Sequence, residues 1–311
     1  MRVVGVDLGG TKVLARIVDT ETGWSEGRAK ASTPRTGPAD VLDVVAKAVR
    51  SLDGWEEADA IGIGLPGLVG SDGVVNRCPN IAGWDNPVAV SATLGAALGK
   101  PVAVGNDVNC GALAEHRVGA GQGAADLLAV FVGTGVGGGL VLDGHVRGGA
   151  RGMAGEIGHL TVEPGGRQCG CGGLGHLEAY AGKAGIEREV RVRGSKGVKS
   201  MLVRQAADGP LKSRHLAAAI DNDDDLAHEL MNDAADALAE GIGNVATLID
   251  LQRVVLGGGI VDKFGEWFVR KIVDSSSFGG FGTSVCELRL AERLDDAGVV
   301  GAAMLAGDQF E

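Results

Sequence analysis

Apolar residues along this chain come in short bursts, each closed by glycine or a polar turn. Val3, Val4 and Val6 lead into Asp7-Leu8-Gly9-Gly10-Thr11-Lys12, and a second apolar run over 13–18 ends at Asp19. The pattern predicts strand, turn, strand. The outline recurs at 127–132, with a turn over Gly133-Thr134-Gly135-Val136-Gly137-Gly138-Gly139 and a closing run at 140–144. A weakly duplicated hairpin with a glycine-rich tip is the simplest account, and two such tips could hold one polyphosphate between two lobes. Between them the pattern predicts helices near 39–52, 90–98 and 108–117, strands at 60–63 and 102–104, and a loop-rich stretch over 64–87. Residues 145–175 read as irregular. Apolar positions 226, 230, 234, 238, 242, 245 and 249 follow a 3.6-residue period and predict one long helix. A strand at 253–256, the triplet Gly257-Gly258-Gly259 and a helix over 297–306 complete the pattern. Strands alternating with helices predict α/β layers.

At 311 residues the chain exceeds what one core usually serves, so two domains are expected. Glycine supplies 54 of them, far above the usual ~7%, as backbone that turns tightly or admits a close ligand requires. The net charge of −11 repels a nucleic-acid backbone. Asp7 interrupts the N-terminal apolar run before a signal-peptide core could form, and no glycine-poor apolar stretch reaches 18 residues, so neither export nor a membrane span is expected. Of five cysteines only Cys169 and Cys171 lie close together, which suits a reducing cytoplasm and a metal better than disulfides.

No G-x-x-x-x-G-K-[ST] occurs, which excludes a P-loop. Gly62, Gly64 and Gly67, and Gly133, Gly135 and Gly138, fit G-x-G-x-x-G, but neither set is followed by the helix and acidic residue of a dinucleotide site. The D-x-G-G-T-K tip is more specific. Its amides and the Thr11 hydroxyl can cradle phosphate oxygens, and Asp7 can hold Mg²⁺ directly or through water. A hairpin without ligand would explain one such turn; three, each straight after an apolar strand, favour a ligand. His159, Cys169, Cys171 and His176, spaced by ten, two and five residues, suit a closed structural zinc site in a segment too poor in apolar residues to pack alone. Asn106-Asp107 follows a strand and precedes a helix, at the strand end where open α/β sheets bind ligands. Asp107 fits a general base for phosphoryl transfer, or merely an Asx turn or helix cap.

Asp7 to Lys12, Gly133 to Gly139 and Leu256-Gly257-Gly258-Gly259 resemble the phosphate and adenosine motifs of sugar kinases with the actin-like ATPase fold. The stretch 155–178 resembles the signature of the ROK family (repressors, open reading frames, kinases). The resemblance implies a two-lobed α/β fold with an RNase H-like core and a cleft between the lobes. It implies a small lobe over 1–117 joined by a C-terminal helix at 294–311, and a large lobe over 118–293 carrying the zinc segment 155–178. It implies nucleotide binding by Asp7, Gly9, Gly10, Thr11, Lys12, Gly133, Thr134, Gly135, Gly137, Gly257, Gly258 and Gly259. Asn106-Asp107 matches the family's N-D-x-N motif, which makes Asp107 the base. Glu156, His159 and Glu178 match its sugar-hydroxyl ligands; Gly67 and Asn80 resemble its sugar-side loop, and Asn106 joins the set. His159 could then bind zinc through one ring nitrogen and sugar through the other. His176 stands where the family has Cys.

The expected activity is transfer from ATP with Mg²⁺ to the 6-hydroxyl of a hexose, glucose first, by a cytoplasmic homodimer or homotetramer with structural zinc. N-acetylmannosamine, fructose, polyphosphate as donor and a non-catalytic sugar sensor are the alternatives. The hydroxyl-ligand set shows no evident apolar pocket for an acetamido group. A repressor's DNA-binding segment has no room ahead of a strand that starts at Val3. Asp221, Asp223, Asp224 and Asp225 are expected to open the long helix, and Arg188, Arg191, Arg193, Lys196 and Lys199 to form a solvated loop.

Overall fold

The structure, a computed structural model, describes residues 1–70, 72–278, 286–293 and 296–311. In chain order its strands are β1 (Arg2–Leu8), β2 (Lys12–Asp19), β3 (Ser25–Ser32), β4 (Ala60–Leu65), β5 (Leu68–Val69), β6 (Val74–Arg77), β7 (Val88–Ala89), β8 (Val102–Asn106), β9 (Leu127–Val132), β10 (Val136–Leu142), β11 (His145–Val146), β12 (Arg253–Gly257) and β13 (Glu287–Leu290). The helices are α1 (Pro38–Arg50), α2 (Val90–Leu98), α3 (Asp107–Val118), α4 (Glu178–Ala181), α5 (Lys183–Ser195), α6 (Met201–Asp208), α7 (Ser213–Asp221), α8 (Asp225–Ile249), α9 (Val261–Val273) and α10 (Ala297–Phe310). The chain divides into two compact units: Met1–Ala125 with Gly139–Gly155 and Glu292–Glu311, and Asp126–Gly138 with Glu156–Ala291. Of the expected C-terminal helix, residues 294 and 295 lie outside the described residues.

In the first unit β3-β2-β1-β4-β8 form one sheet, with β1 antiparallel to β2 and parallel to β4, and β4 parallel to β8. Strand alternation decides what each face of β1 can do. Val4, Val6 and Leu8 join Ile61, Ile63 and Leu65 of β4 in a core that also buries Val41, Val45 and Val49 of α1. The opposite face of β1 reads Val3, Gly5, Asp7, and that of β4 reads Ala60, Gly62, Gly64. Helix α10 lies on this face. A Cβ at Gly5 would come 2.1 Å from the carbonyl oxygen of Val299, and one at Gly62 1.8 Å from that of Ala302. The helix meets α3 as closely, since a Cβ at Gly301 would stand 1.7 Å from the Cys110 carbonyl oxygen. These glycines bring helix backbone onto strand backbone and leave Val299, Val300, Ala303 and Met304 to fill a second core with Val3, Leu14 and Val18.

In the second unit β9, β12 and β13 run parallel, with Arg253↔Leu127 and Arg253↔Glu287 in register. The Asp224 side chain caps α8 by accepting the Ala227 N–H at 3.1 Å and ties it to α6 through the Met201 N–H at 2.6 Å. Arg188, Arg191 and Arg193 lie on α5 rather than in a loop. The reason is local: Glu187–Arg191 at 2.8 Å and Glu189–Arg193 at 2.6 Å are i,i+4 pairs, which support a helix otherwise poor in buried residues. Among the described residues no helix is long and apolar enough to cross a membrane.

Candidate active site and metal centre

The tip between β1 and β2 is closed by its own backbone. Gly9 N–H donates to the Lys12 carbonyl at 2.8 Å, and the Thr33 hydroxyl donates to the Gly9 carbonyl at 2.6 Å. A Cβ at Gly10 would come 2.5 Å from the Asn80 carbonyl oxygen, so the tip and the loop after β6 touch backbone to backbone. Asp7, on the glycine face of β1, has Gly298 of α10 against its carboxyl group. Burial raises its pKa above the usual carboxylate value, and the Lys12 ammonium opposes the rise. A buried carboxylate with a lysine beside it at a glycine tip suits a cation carried by a polyphosphate.

Asp107 occupies the first turn of α3, where β8 ends. Asn106 is the N-cap; its side-chain oxygen accepts the N–H groups of Val108 at 2.9 Å and Asn109 at 3.1 Å, and its amide donates to the Gly67 carbonyl at 3.3 Å. Asp107 is therefore not the cap. That task falls to its neighbour, which also ties the Pro66-Gly67 loop to the strand end. The Asp107 carboxylate accepts the Val108 N–H at 2.9 Å. Two buried thiols register its charge: burial foremost, then Asp107, pushes Cys78 up to about 12, and burial, Asp107 and Asp7 together raise Cys110. Cys78 also donates to the Pro66 carbonyl at 3.1 Å, behind the same loop. Beside this loop Asn106 lines a cavity of about 870 Å³ with Leu68, Val104, Leu113, Met153 and Leu305.

In the second unit the tip at 133–136 rests on the start of α5. Lys183 N–H donates to the Gly133 carbonyl at 3.0 Å and Ala184 N–H to that of Thr134 at 2.9 Å. At the triplet, Gly258 has φ of +93°, and a Cβ there would come 2.6 Å from the Val132 carbonyl oxygen, which also accepts the Ile260 N–H at 3.0 Å. Gly133 to Gly137 and Gly257 to Gly259 thus flank the ends of adjacent parallel strands.

His159, Cys169, Cys171 and His176 converge, with one ligand atom from each within 4.8 Å of the others. His159 Nδ1 stands 3.9 Å from Cys169 Sγ, and His176 Nδ1 stands 3.2 Å from Cys171 Sγ. Tetrahedral zinc with Zn–S of ~2.3 Å and Zn–N of ~2.0 Å sets such edges at about 3.5 Å, so the donor set fits, His176 included. Burial pushes the Cys169 thiol up to about 11; a bound metal reverses that preference. His159 turns its other nitrogen, Nε2, to within 3.9 Å of Glu156 Oε2. Glu178 begins α4 and accepts the Val136 N–H at 3.1 Å.

Of the residues expected from sequence, Asp7, Gly9 to Lys12, Gly67, Asn80, Asn106 and Asp107 belong to the first unit. Gly133 to Gly137, Glu156, His159, the two thiols, His176, Glu178 and Gly257 to Gly259 belong to the second. Sequence reasoning missed Cys78, Gly182, Lys183 and Ala184. A lone cysteine gives no signal, and Gly182 precedes a helix held by Glu–Arg pairs that an apolar period does not reveal.

The fold and these groups define a member of a family of sugar-handling proteins. The ROK family profile matches residues 3–309, and the chain belongs to that family. It is 34% identical to a glucokinase of Thermotoga maritima, over 100% of this chain and 98% of that one. It is similar to a ROK hexokinase of Thermus thermophilus, with a TM-score of 0.85, 34% identity and 99% of each chain covered. It is also similar to a ROK glucokinase of Streptomyces griseus solved with glucose and AMPPNP, with a TM-score of 0.78 and 30% identity, covering 99% of this chain and 100% of that one. The fold is that of these proteins, α/β and of the actin-like ATPase class.

Proposed function

We propose that the chain is an ATP-dependent glucokinase that phosphorylates the 6-hydroxyl of glucose, with Asp107 as general base. The observation that carries this reading is the division of labour at the start of α3. Asn106 caps the helix and ties the Gly67 loop to the strand end where the Asp107 carboxylate stands, sharing the Val108 N–H with it. Full-length likeness to glucokinases supports the acceptor.

Phosphoryl transfer asks the protein mainly to position groups and neutralise charge. In this reading the tips at Gly9 to Lys12 and Gly133 to Gly137, with Gly257 to Gly259, bind the nucleotide. Asp7 would hold Mg²⁺, which supplies charge neutralisation. Gly67, Asn80, Asn106, Glu156, His159 and Glu178 orient the sugar through its hydroxyls. Asp107 takes the proton from the attacking hydroxyl. His159, Cys169, Cys171 and His176 would hold a structural zinc; four protein ligands leave no open position for catalysis by the metal. His159, with Nδ1 toward the thiol and Nε2 toward Glu156, would join metal and sugar. Five cysteines outside disulfides, two of them assigned to the metal, suit a reducing cytoplasm, and a homodimer or homotetramer is the assembly proposed.

One observation favours a second acceptor. The cavity beside Asn106 sets Leu68, Val104, Leu113, Met153 and Leu305 beside Asp72, Asn76, Asn109 and Arg151, and its apolar part would suit the acyl group of N-acetylmannosamine. A coupled assay over glucose, fructose and N-acetylmannosamine, with ATP or polyphosphate as donor, tests both. Glucose with MgATP is expected to give the highest kcat/KM. A higher value for N-acetylmannosamine would move the acceptor assignment to the cavity, and sugar binding without turnover from any donor would overturn the kinase reading.

A further inference from the structure

The segment 178–184 touches two things at once. On one side it secures the glycine tip at 133–136. Glu178 Oε2 accepts the Val136 N–H at 3.1 Å, and the first two amides of α5 take the carbonyls of Gly133 and Thr134. The tip is pressed against this segment: a Cβ at Gly135 would come 2.2 Å from Glu178 Oε2, and one at Gly182 would come 3.1 Å from Gly135 Cα. Because a trans peptide points its N–H opposite to its C=O, the N–H groups of Thr134 and Gly135 turn away from α5. That is the arrangement a phosphate-binding tip needs.

On the other side the same residues close the His/Cys cluster. Leu177 N–H donates to the Leu160 carbonyl and Ala179 N–H to the His176 carbonyl, both at 2.9 Å. The second carboxylate oxygen of Glu178, Oε1, lies 3.6 Å from Cys169 Sγ. One carboxylate therefore lies between a cluster sulfur and a tip amide; with metal bound the sulfur is a thiolate that donates nothing, so the backbone bonds of Leu177 and Ala179, with Leu177 fully buried, tie the cluster to Glu178.

We infer that Glu178 is a positioning residue for the donor-phosphate tip and transmits the state of the His/Cys cluster to it. The inference rests on the kinase reading and goes beyond a sugar-ligand role for Glu178. A carboxylate that served only a sugar hydroxyl would leave nucleotide affinity untouched; one that holds the Val136 amide against a metal-fixed loop sets that affinity with no sugar present.

Calorimetric titration of MgADP without sugar tests this. The preparations are zinc-loaded protein, protein stripped with chelator and desalted, and Glu178→Ala in both states. Loaded Glu178→Ala loses the Val136 hydrogen bond to a charged group, which predicts about tenfold weaker MgADP binding, and stripping the parent, which frees the His176 loop that holds Glu178, should cost about the same. Stripping the variant should then add less than about twofold, because the link is already cut. Gly135→Ala, whose added methyl displaces the Glu178 carboxylate, should weaken MgADP with zinc content unchanged, and stripping it should again add less than about twofold, which a direct loss of tip contacts alone would not give. This second variant keeps the test valid if Glu178→Ala does not fold. MgADP affinity unchanged by Glu178→Ala or by Gly135→Ala, or equal losses on stripping parent and variant, would overturn the inference and leave the kinase reading standing. A loaded parent that binds no MgADP would overturn both.

Discussion

The Glu115 carboxylate accepts the backbone N–H of Arg293 at 2.6 Å, joining residues 178 positions apart. It also accepts the N–H groups of Ala120 at 2.9 Å and Glu292 at 3.2 Å, and the side chain is fully buried. Three donors around one buried carboxylate fix the first unit where the chain leaves it after Ala125 and returns at Glu292. Removing the carboxylate takes this acceptor from all three. Glu115→Ala should lose about 3–5 kcal/mol in urea unfolding, and a loss under ~1 kcal/mol would show the donors to be satisfied otherwise.

Close backbone packing at α10 predicts a steep cost for small additions. Gly301→Ala places a methyl 1.7 Å from the Cys110 carbonyl, a contact that backbone must move to relieve. Overpacking of this kind costs roughly 1–3 kcal/mol and occasionally more. Gly99→Ala is the control, since a Cβ there meets nothing within 4 Å, although its φ of +67° carries its own strain. A melting midpoint for Gly301→Ala at or above that of Gly99→Ala would refute the packing argument.

Asp7 gives a pH dependence with a definite sign. Its pKa is raised in the folded protein, chiefly by burial, so between the ordinary carboxylate value and the raised one the folded state holds more proton than the unfolded. Stability therefore falls as pH rises through that window and stays lower above it. Asp7→Asn should raise the melting midpoint by a few degrees at pH 7, have little effect near pH 3, and sharply reduce turnover. An equal midpoint shift at both pH values would separate the effect from this carboxylate.

Asp107→Asn keeps size and hydrogen bonding but removes the proton acceptor. General-base loss typically costs ~10²–10⁴ in rate, against roughly 1.5–3 kcal/mol for one charged hydrogen bond in binding. The variant should fold, bind glucose within about 10²-fold of the parent and be nearly inactive. Near-normal kcat in a coupled assay would remove Asp107 from the base role.

The His/Cys cluster should hold about one zinc per chain, and Cys169→Ala should lose metal, stability and sugar affinity together. Elemental analysis without zinc, with activity intact after chelation, would refute it.

Alternation makes much of the first sheet legible in the sequence itself. Val3, Gly5 and Asp7 on one face of β1 and Val4, Val6 and Leu8 on the other follow from a two-residue period, as does a glycine tip straight after it. The long helix at 225–249 is equally plain from its 3.6-residue period. The ends that matter to the site are less visible. Asp107 and Asn106 both suit a cap, and only the hydrogen bonds assign that task to Asn106. Helix α5 hides because its stability comes from Glu–Arg pairs rather than an apolar stripe. The dual contacts of Glu178 and the three donors around Glu115 join residues far apart in sequence, and no local pattern encodes them.

The closure of the first sheet by α10 also orders events during synthesis. Val3 on β1 and Ala60 on β4 share their core with Leu113 and Ala114 of α3 but gain Val299, Val300 and Ala303 only when α10 leaves the ribosome, and every residue of the second unit is translated before then. The nascent chain thus carries an unfinished apolar face throughout synthesis of its second unit, a period in which holding chaperones find a ready surface. A chain diluted from denaturant has all its parts at once and meets no such interval.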